Sequence, residues 1–138
     1  MKKITKDWLD SAKGDLFLIE KIIYDHHLTH LAAFHAQQAI EKSMKAIIEE
    51  FELGFIKTHN LENLYHIVKT KWVTNIDLSQ FILLDQLYID ARYPGEMGLL
   101  PEGKPSVKES MKFQQLAVYC FENASYVCGG EQSATKSI

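Results

Sequence analysis

THLAAFHAQQAIEKSMKAIIEEFEL, residues 29–53, is the stretch that decides the fold. It holds no proline and no glycine, and its apolar residues recur at three- and four-residue steps, the period of an α-helix. The spacing predicts one helix from Thr29 to Leu53, closed by Gly54 at the C′ position. Leu31-Ala32-Ala33-Phe34 is apolar on every side. A turn of that kind is expected to be buried all round, in a central helix or partly in a subunit interface. Ala36, Ala39, Ile40, Ser43, Met44, Ile47 and Phe51 continue the buried side.

Helices are expected on both flanks. Trp8, Ala12, Leu16, Ile19 and Ile23 form a stripe for a first helix over 5–25, capped by Thr5 or Asp7 and weakened by Gly14. Thr58 is the expected N-cap of a third helix with Leu61, Leu64, Tyr65 and Val68 on its apolar face. Asp77-Leu78-Ser79-Gln80 reads as a capping box for a fourth, and Ser106-Val107-Lys108-Glu109 as a sharper one for a fifth, which runs to Val127 and stops at Gly129-Gly130. Between the last two lies a long loop that holds all three prolines, Pro94, Pro101 and Pro105. No stretch alternates long enough to make a strand. The fold class is therefore all-α, an up-and-down bundle of four long helices with an additional short one. One domain is expected over 1–128, with a disordered tail over 129–138.

The chain has 138 residues, enough for one domain. A formal charge of −3 argues against a strongly basic nucleic-acid binder while leaving room for a local basic groove. Cys120 and Cys128 form neither a CxxC pair nor a disulfide framework. With no signal-peptide core and no membrane-length apolar run, a soluble, cytoplasmic protein is expected.

The polar residues of the second helix carry the candidate chemistry. His35, Gln38, Lys42, Lys45 and Glu49 share one face, and Gln37, Glu41 and Lys45 a neighbouring one. Glu41 precedes Lys45 in the favourable order for an ion pair. This face is either solvated surface or, if His35 and Gln38 sit deep, an imidazole and an amide beside two ammonium groups, suited to a phosphate or a base edge. His59 is expected in the first turn of the third helix, near N–H groups that attract anions, or else at the surface. Arg92 offers a fork for phosphate, or simply complements a helix C-terminus. His26, His27 and His30 lack the further ligand that a metal site needs, so no metal is expected. Glycine-rich phosphate loops are absent.

Four segments together resemble the HEPN domain family of higher eukaryotes and prokaryotes. They are Asp7-Trp8 through Asp15-Leu16, Phe34-His35-Ala36-Gln37-Gln38-Ala39-Ile40-Glu41-Lys42, Lys57-Thr58-His59-Asn60-Leu61, and Ala91-Arg92-Tyr93-Pro94. The second is similar to the signature FHAQQAxEKxxKA, the third to TH[DN]L and the fourth to RYP. The resemblance implies a helical bundle that dimerises and holds nucleotide or RNA in a groove, often beside a nucleotidyltransferase. It assigns nucleotide binding to His35, Gln38, Lys42, Lys45, His59, Arg92 and Tyr93, with no catalytic residue and no cofactor beyond a nucleotide ligand. Gln37 and Gln38 have the alternative of tying helices together.

The family's ribonucleases carry an Arg followed by His after four to six intervening residues. Those places after Arg92 hold Met97, Gly98 and Leu99, and no histidine follows His66. The expected function is therefore a nucleotide-binding or regulatory subunit, a homodimer working with a nucleotidyltransferase partner in a toxin–antitoxin or stress module. The alternatives are a metal-independent endoribonuclease with a rearranged Arg/His site, and a plain helical dimerisation module.

Overall fold

The computed structural model describes residues 1–91 and 103–130. Five helices follow one another: α1 (Lys3–Ile22), α2 (Thr29–Glu50), α3 (Leu61–Val68), α4 (Leu78–Ala91) and α5 (Val107–Val127). No strand occurs among the described residues. The all-α bundle is as expected, with α3 as the short helix. Arg92, Tyr93 and the tail from 131 onward lie outside the described residues.

α2 is the central helix and packs against the other four. Its alanines explain how. Ala32, Ala33, Ala36, Ala39 and Ala46 are buried, so neighbouring backbones approach closely while Ile40, Met44 and Ile47 fill the deeper space. The 31–34 turn is not enclosed on every side. Ala32 and Ala33 take the covered sides, Phe34 is half-buried and Leu31 is exposed. Thr5 Oγ1 donates to Glu50 Oε1 at 2.9 Å, which ties the start of α1 to the end of α2 and holds the two antiparallel. Leu61, Leu64, Val68, Trp72, Phe81 and Leu84 belong to the same core and pack α3 on α4. Trp72 lies four residues after Val68, past the end of α3, and is buried in the α3–α4 connection against the ring of Tyr65.

Helix ends differ from expectation where a neighbour decides them. α2 stops at Glu50, and the C′ residue is Glu52 with φ 53°, rather than Gly54. The Leu53 N–H donates to the Ile48 carbonyl at 2.9 Å and the Glu52 N–H to the Glu49 carbonyl at 3.4 Å, the bonds of a Schellman motif. Leu53 packs on the core from its place after the turn, and that burial selects the stopping point over the glycine two residues later. α3 is capped by Asn60, whose Oδ1 accepts from the Asn63 N–H, whereas Thr58 Oγ1 accepts from the Asn60 N–H one turn earlier. His59 therefore precedes the helix instead of lying in its first turn. Asp77 caps α4 through the N–H and hydroxyl of Ser79. The Ser106/Glu109 capping box of α5 is present, and α5 ends as read, with Gly129 at φ 105°.

Candidate functional site

Three carboxylates on three helices organise the polar interior. Asp15 sits on the buried side of α1, one turn from Ala12 and Ile19. Its Oδ2 accepts from Lys42 Nζ at 2.8 Å, and its Oδ1 lies 2.9 Å from His35 Nδ1. A charge so placed is tolerable only with partners, and α2 supplies two of them from one face, two turns apart.

Glu41 is the second centre, 4% exposed. Its Oε2 accepts from Lys45 Nζ at 2.7 Å and lies 2.7 Å from His59 Nδ1. Its Oε1 takes longer bonds from Gln38 Nε2 at 3.3 Å and Gln37 Nε2 at 3.4 Å. Lys45 Nζ also lies 5.5 Å from the centroid of the Trp8 ring, which shields that pair from water. The i,i+4 pair read from the sequence is thus real, and it is buried rather than solvated.

Asp85 on α4 is the third. Both of its oxygens face the Leu61 N–H, at 2.8 and 3.1 Å, so a residue of one helix caps the N-terminus of another. Burial pushes its carboxyl up to about 6, against the lowering effect of the Leu61 N–H and the Gln37 amide. Gln37, fully buried, joins the centres. Its Nε2 donates to the His59 carbonyl at 2.9 Å and, more weakly, to Asp85 Oδ1 at 3.4 Å, while its Oε1 accepts from Gln38 at 2.8 Å.

An aromatic wall borders this network. Phe34 stacks on Tyr88 with centroids 5.1 Å apart and meets His35 edge-on at 5.2 Å, and Tyr88 lies 6.4 Å from His59. Beside the wall opens a cavity of about 210 Å³ lined by His59, Asn60, Asp85, Tyr88 and Ile89. The His59 side chain is 58% exposed. With Nδ1 held by Glu41, Nε2 is the ring atom left for a ligand.

The candidate residues fall into two groups. His35 and Lys42 meet at Asp15, while Gln38, Lys45 and His59 meet at Glu41. Both ammonium groups are engaged by carboxylates of the same chain. Asp15, Asp85 and Tyr88 were not among the candidates. Asp15 and Asp85 did leave a signal, a carboxylate at helical spacing inside an apolar stripe. The pairing of Asp15 with His35 and Lys42, and of Asp85 with the Leu61 N–H, left none. Among the described residues, no group of His, Cys, Asp and Glu could hold a metal ion. No described helix is long and apolar enough to cross a membrane.

The chain is similar in fold to ST0689, an archaeal HEPN homologue known from its crystal structure. The match has a TM-score of 0.66 and 20% identity, and it covers 93% of this chain and 99% of that one. No curated protein matches. The sequence model of the HEPN domain matches residues 5–126, from the first turn of α1 to the last of α5. With the FHAQQ segment building the network just described, the chain belongs to the HEPN domain family.

Proposed function

We propose that the protein is a nucleotide-binding or regulatory subunit, and that the base is held in the cavity between α4 and the segment before α3. The cavity beside His59, Asp85 and Tyr88 carries this reading. Its volume of about 210 Å³ accommodates a planar heterocycle. Tyr88 offers a stacking face, the Asp85 carboxylate accepts from an exocyclic amino group, and His59 reads a ring nitrogen or hydroxyl. In this reading His35, Gln38, Lys42 and Lys45 hold the walls in place, because their polar atoms already have partners. Phosphate recognition falls to Arg92, with Tyr93 as a second stacking surface, both outside the described residues. The protein acts as a homodimer, with a nucleotidyltransferase as partner in a toxin–antitoxin or stress module, in the cytoplasm.

Calorimetry with nucleosides and with nucleoside mono-, di- and triphosphates tests the reading. Binding is expected to weaken about fivefold to a hundredfold in His59→Ala and Tyr88→Ala, as loss of one hydrogen bond or one stacking surface implies, about 1–3 kcal/mol. No heat with any of these ligands overturns it.

One observation favours a second reading, a metal-independent endoribonuclease. A carboxyl with an elevated pKa and an accessible imidazole line the same cavity, which is the composition of a general acid–base pair. Labelled RNA incubated with the protein in EDTA decides it. Intact RNA, or cleavage unchanged in His35→Ala and His59→Ala, removes this reading. The plain dimerisation module is what remains if both experiments are negative.

A further inference from the structure

α4 and α5 each pack on α2, with little contact between them. Two helices laid against a third leave a valley between their outer faces, and here it opens where α5 passes the start of α4. A cavity of about 450 Å³ in the valley is lined by Asn75, Gln80, Lys112, Gln115, Leu116 and Tyr119. It shares no residue with the cavity beside His59. Lys112, Gln115, Leu116 and Tyr119 follow one another on α5 at steps of three, one and three, so they form one stripe and one wall. Asn75 of the α3–α4 connection and Gln80 of the first turn of α4 form the other wall. The Asn75 N–H donates to Tyr119 Oη at 3.0 Å and joins the two.

The polar side chains of the valley are unspent. Among the described residues, those of Gln80, Lys112 and Gln115 make no hydrogen bond or ion pair. No carboxylate lines the valley. The acids nearest to Gln80 and Lys112 in sequence are committed elsewhere, Asp77 to Ser79 and Glu109 to the Ser106 N–H. Lys112 therefore lacks an acid, and the ligand has to bring it. A carboxamide offers a donor and an acceptor together, which matches a peptide main chain. A polynucleotide carries a phosphate at every residue and calls for a series of cations, whereas a single ammonium lines this valley, in a chain of charge −3. The spacing along α5 also suits a peptide. Lys112 and Leu116 are one turn apart, about 6 Å along the axis, and alternate side chains of an extended chain are about 6.6 Å apart on one side. A peptide running along α5 sets a carboxylate on Lys112 and, two residues away, an apolar side chain on Leu116, with its main chain between Gln115 and Gln80. We propose that the valley between α4 and α5 binds an extended segment of a partner protein in which an Asp or Glu stands two residues from an apolar residue. The nucleotide reading has no part in this assignment.

Amide shifts of the isotope-labelled protein, titrated with the blocked peptides Ala-Glu-Ser-Leu-Ala and Ala-Leu-Ser-Glu-Ala, test both chain directions. With one of them, shifts are expected at Asn75, Gln80 and residues 112–119, with a Kd of roughly 0.1–1 mM for so small a ligand. Exchanging its Glu for Gln is expected to weaken binding about tenfold. Lys112→Glu, at an exposed helical position, is expected to do the same. That variant is further expected to bind the peptide carrying Lys in place of Glu, which the wild type does not bind, and this reversal separates a direct ion pair from an indirect effect on the fold. Gln80→Ala plus Gln115→Ala, which leaves the charge alone, is expected to weaken binding about fivefold or more. Absence of shifts with either peptide up to about 5 mM, or shifts undiminished in Lys112→Glu, overturns the proposal. So does sodium acetate that matches the peptide in affinity, which would mean a site for a bare anion. A uridine pentanucleotide that shifts the same amides more strongly than the peptides would overturn it in favour of nucleic acid.

Discussion

Asp85 of α4 caps α3 by accepting the Leu61 N–H with both carboxylate oxygens, at 2.8 and 3.1 Å. The bond places a titratable group at the junction of two helices, on the wall of the candidate cavity. It makes the stability of the fold and the charge of the site depend on the same proton.

The pH dependence follows from the direction of the shift. Burial pushes the Asp85 carboxyl up to about 6 in the folded protein, whereas an unfolded Asp titrates near 3.9. The folded state therefore holds a proton that the unfolded state has released. Stability from this group is fully present below about pH 4 and is lost as pH rises through about 6, by no more than about 3 kcal/mol. Urea midpoints for wild type and Asp85→Asn, measured from pH 3.5 to 7.5 (a window of about two units either side of the transition), isolate the contribution. Wild type is expected to lose stability relative to the variant between pH 4 and 6. A difference that stays flat across that interval contradicts the assignment.

The two adjacent glutamines are expected to respond unequally. Gln37 is fully buried and bonds His59, Gln38, Asp85 and Glu41, whereas Gln38 is half-buried and lies at the edge of the network. Gln37→Ala strands several buried polar groups and is expected to cost about 2–4 kcal/mol; Gln38→Ala is expected to cost about 1. Amide exchange in residues 57–61 is expected to accelerate in Gln37→Ala, since the His59 carbonyl loses its bond to α2 and only the ring contact with Glu41 remains. Equal destabilisation by the two changes would show that Gln37 is not the joint.

Removing Asp15 leaves Lys42 and His35 facing one another across a part-buried gap. Asp15→Ala is expected to cost about 3 kcal/mol by denaturant titration, most of it from the uncompensated lysine. Adding Lys42→Met is expected to recover the larger part, because an apolar side chain of similar length fills the same space. A double variant no more stable than Asp15→Ala would rule out the ion pair as the source of the loss.

Glu52 is the one non-glycine residue with positive φ among those described. Left-handed backbone costs an L-residue roughly 1–2 kcal/mol, and glycine in its place gives back about 0.4–1 through the unfolded chain. Its ion pair with Lys2 is exposed and worth little. Glu52→Gly is therefore expected to stabilise by up to about 1 kcal/mol, a rise of a few degrees in Tm. A fall in Tm would mean that the Lys2 pair outweighs the strain.

The sequence by itself determined the five helices, the central place of residues 29–50, the Ser106/Glu109 cap, the Gly129 stop and the Glu41–Lys45 pair. All of these rest on bonds and contacts between residues a few positions apart, and such separations repeat in every helix, so they leave a periodic trace. Tertiary structure alone decided that Asp15 meets His35 and Lys42, that Asp85 caps Leu61, that His59 reaches Glu41, and that α2 ends at Glu50 with Glu52 rather than Gly54 as its C′ residue. These pairs join groups many residues apart, and their geometry is set by how the helices cross. A side chain's spacing says which face of its helix it occupies. Only the packed neighbour says whether that face finds water, a hydrophobic partner or a buried charge.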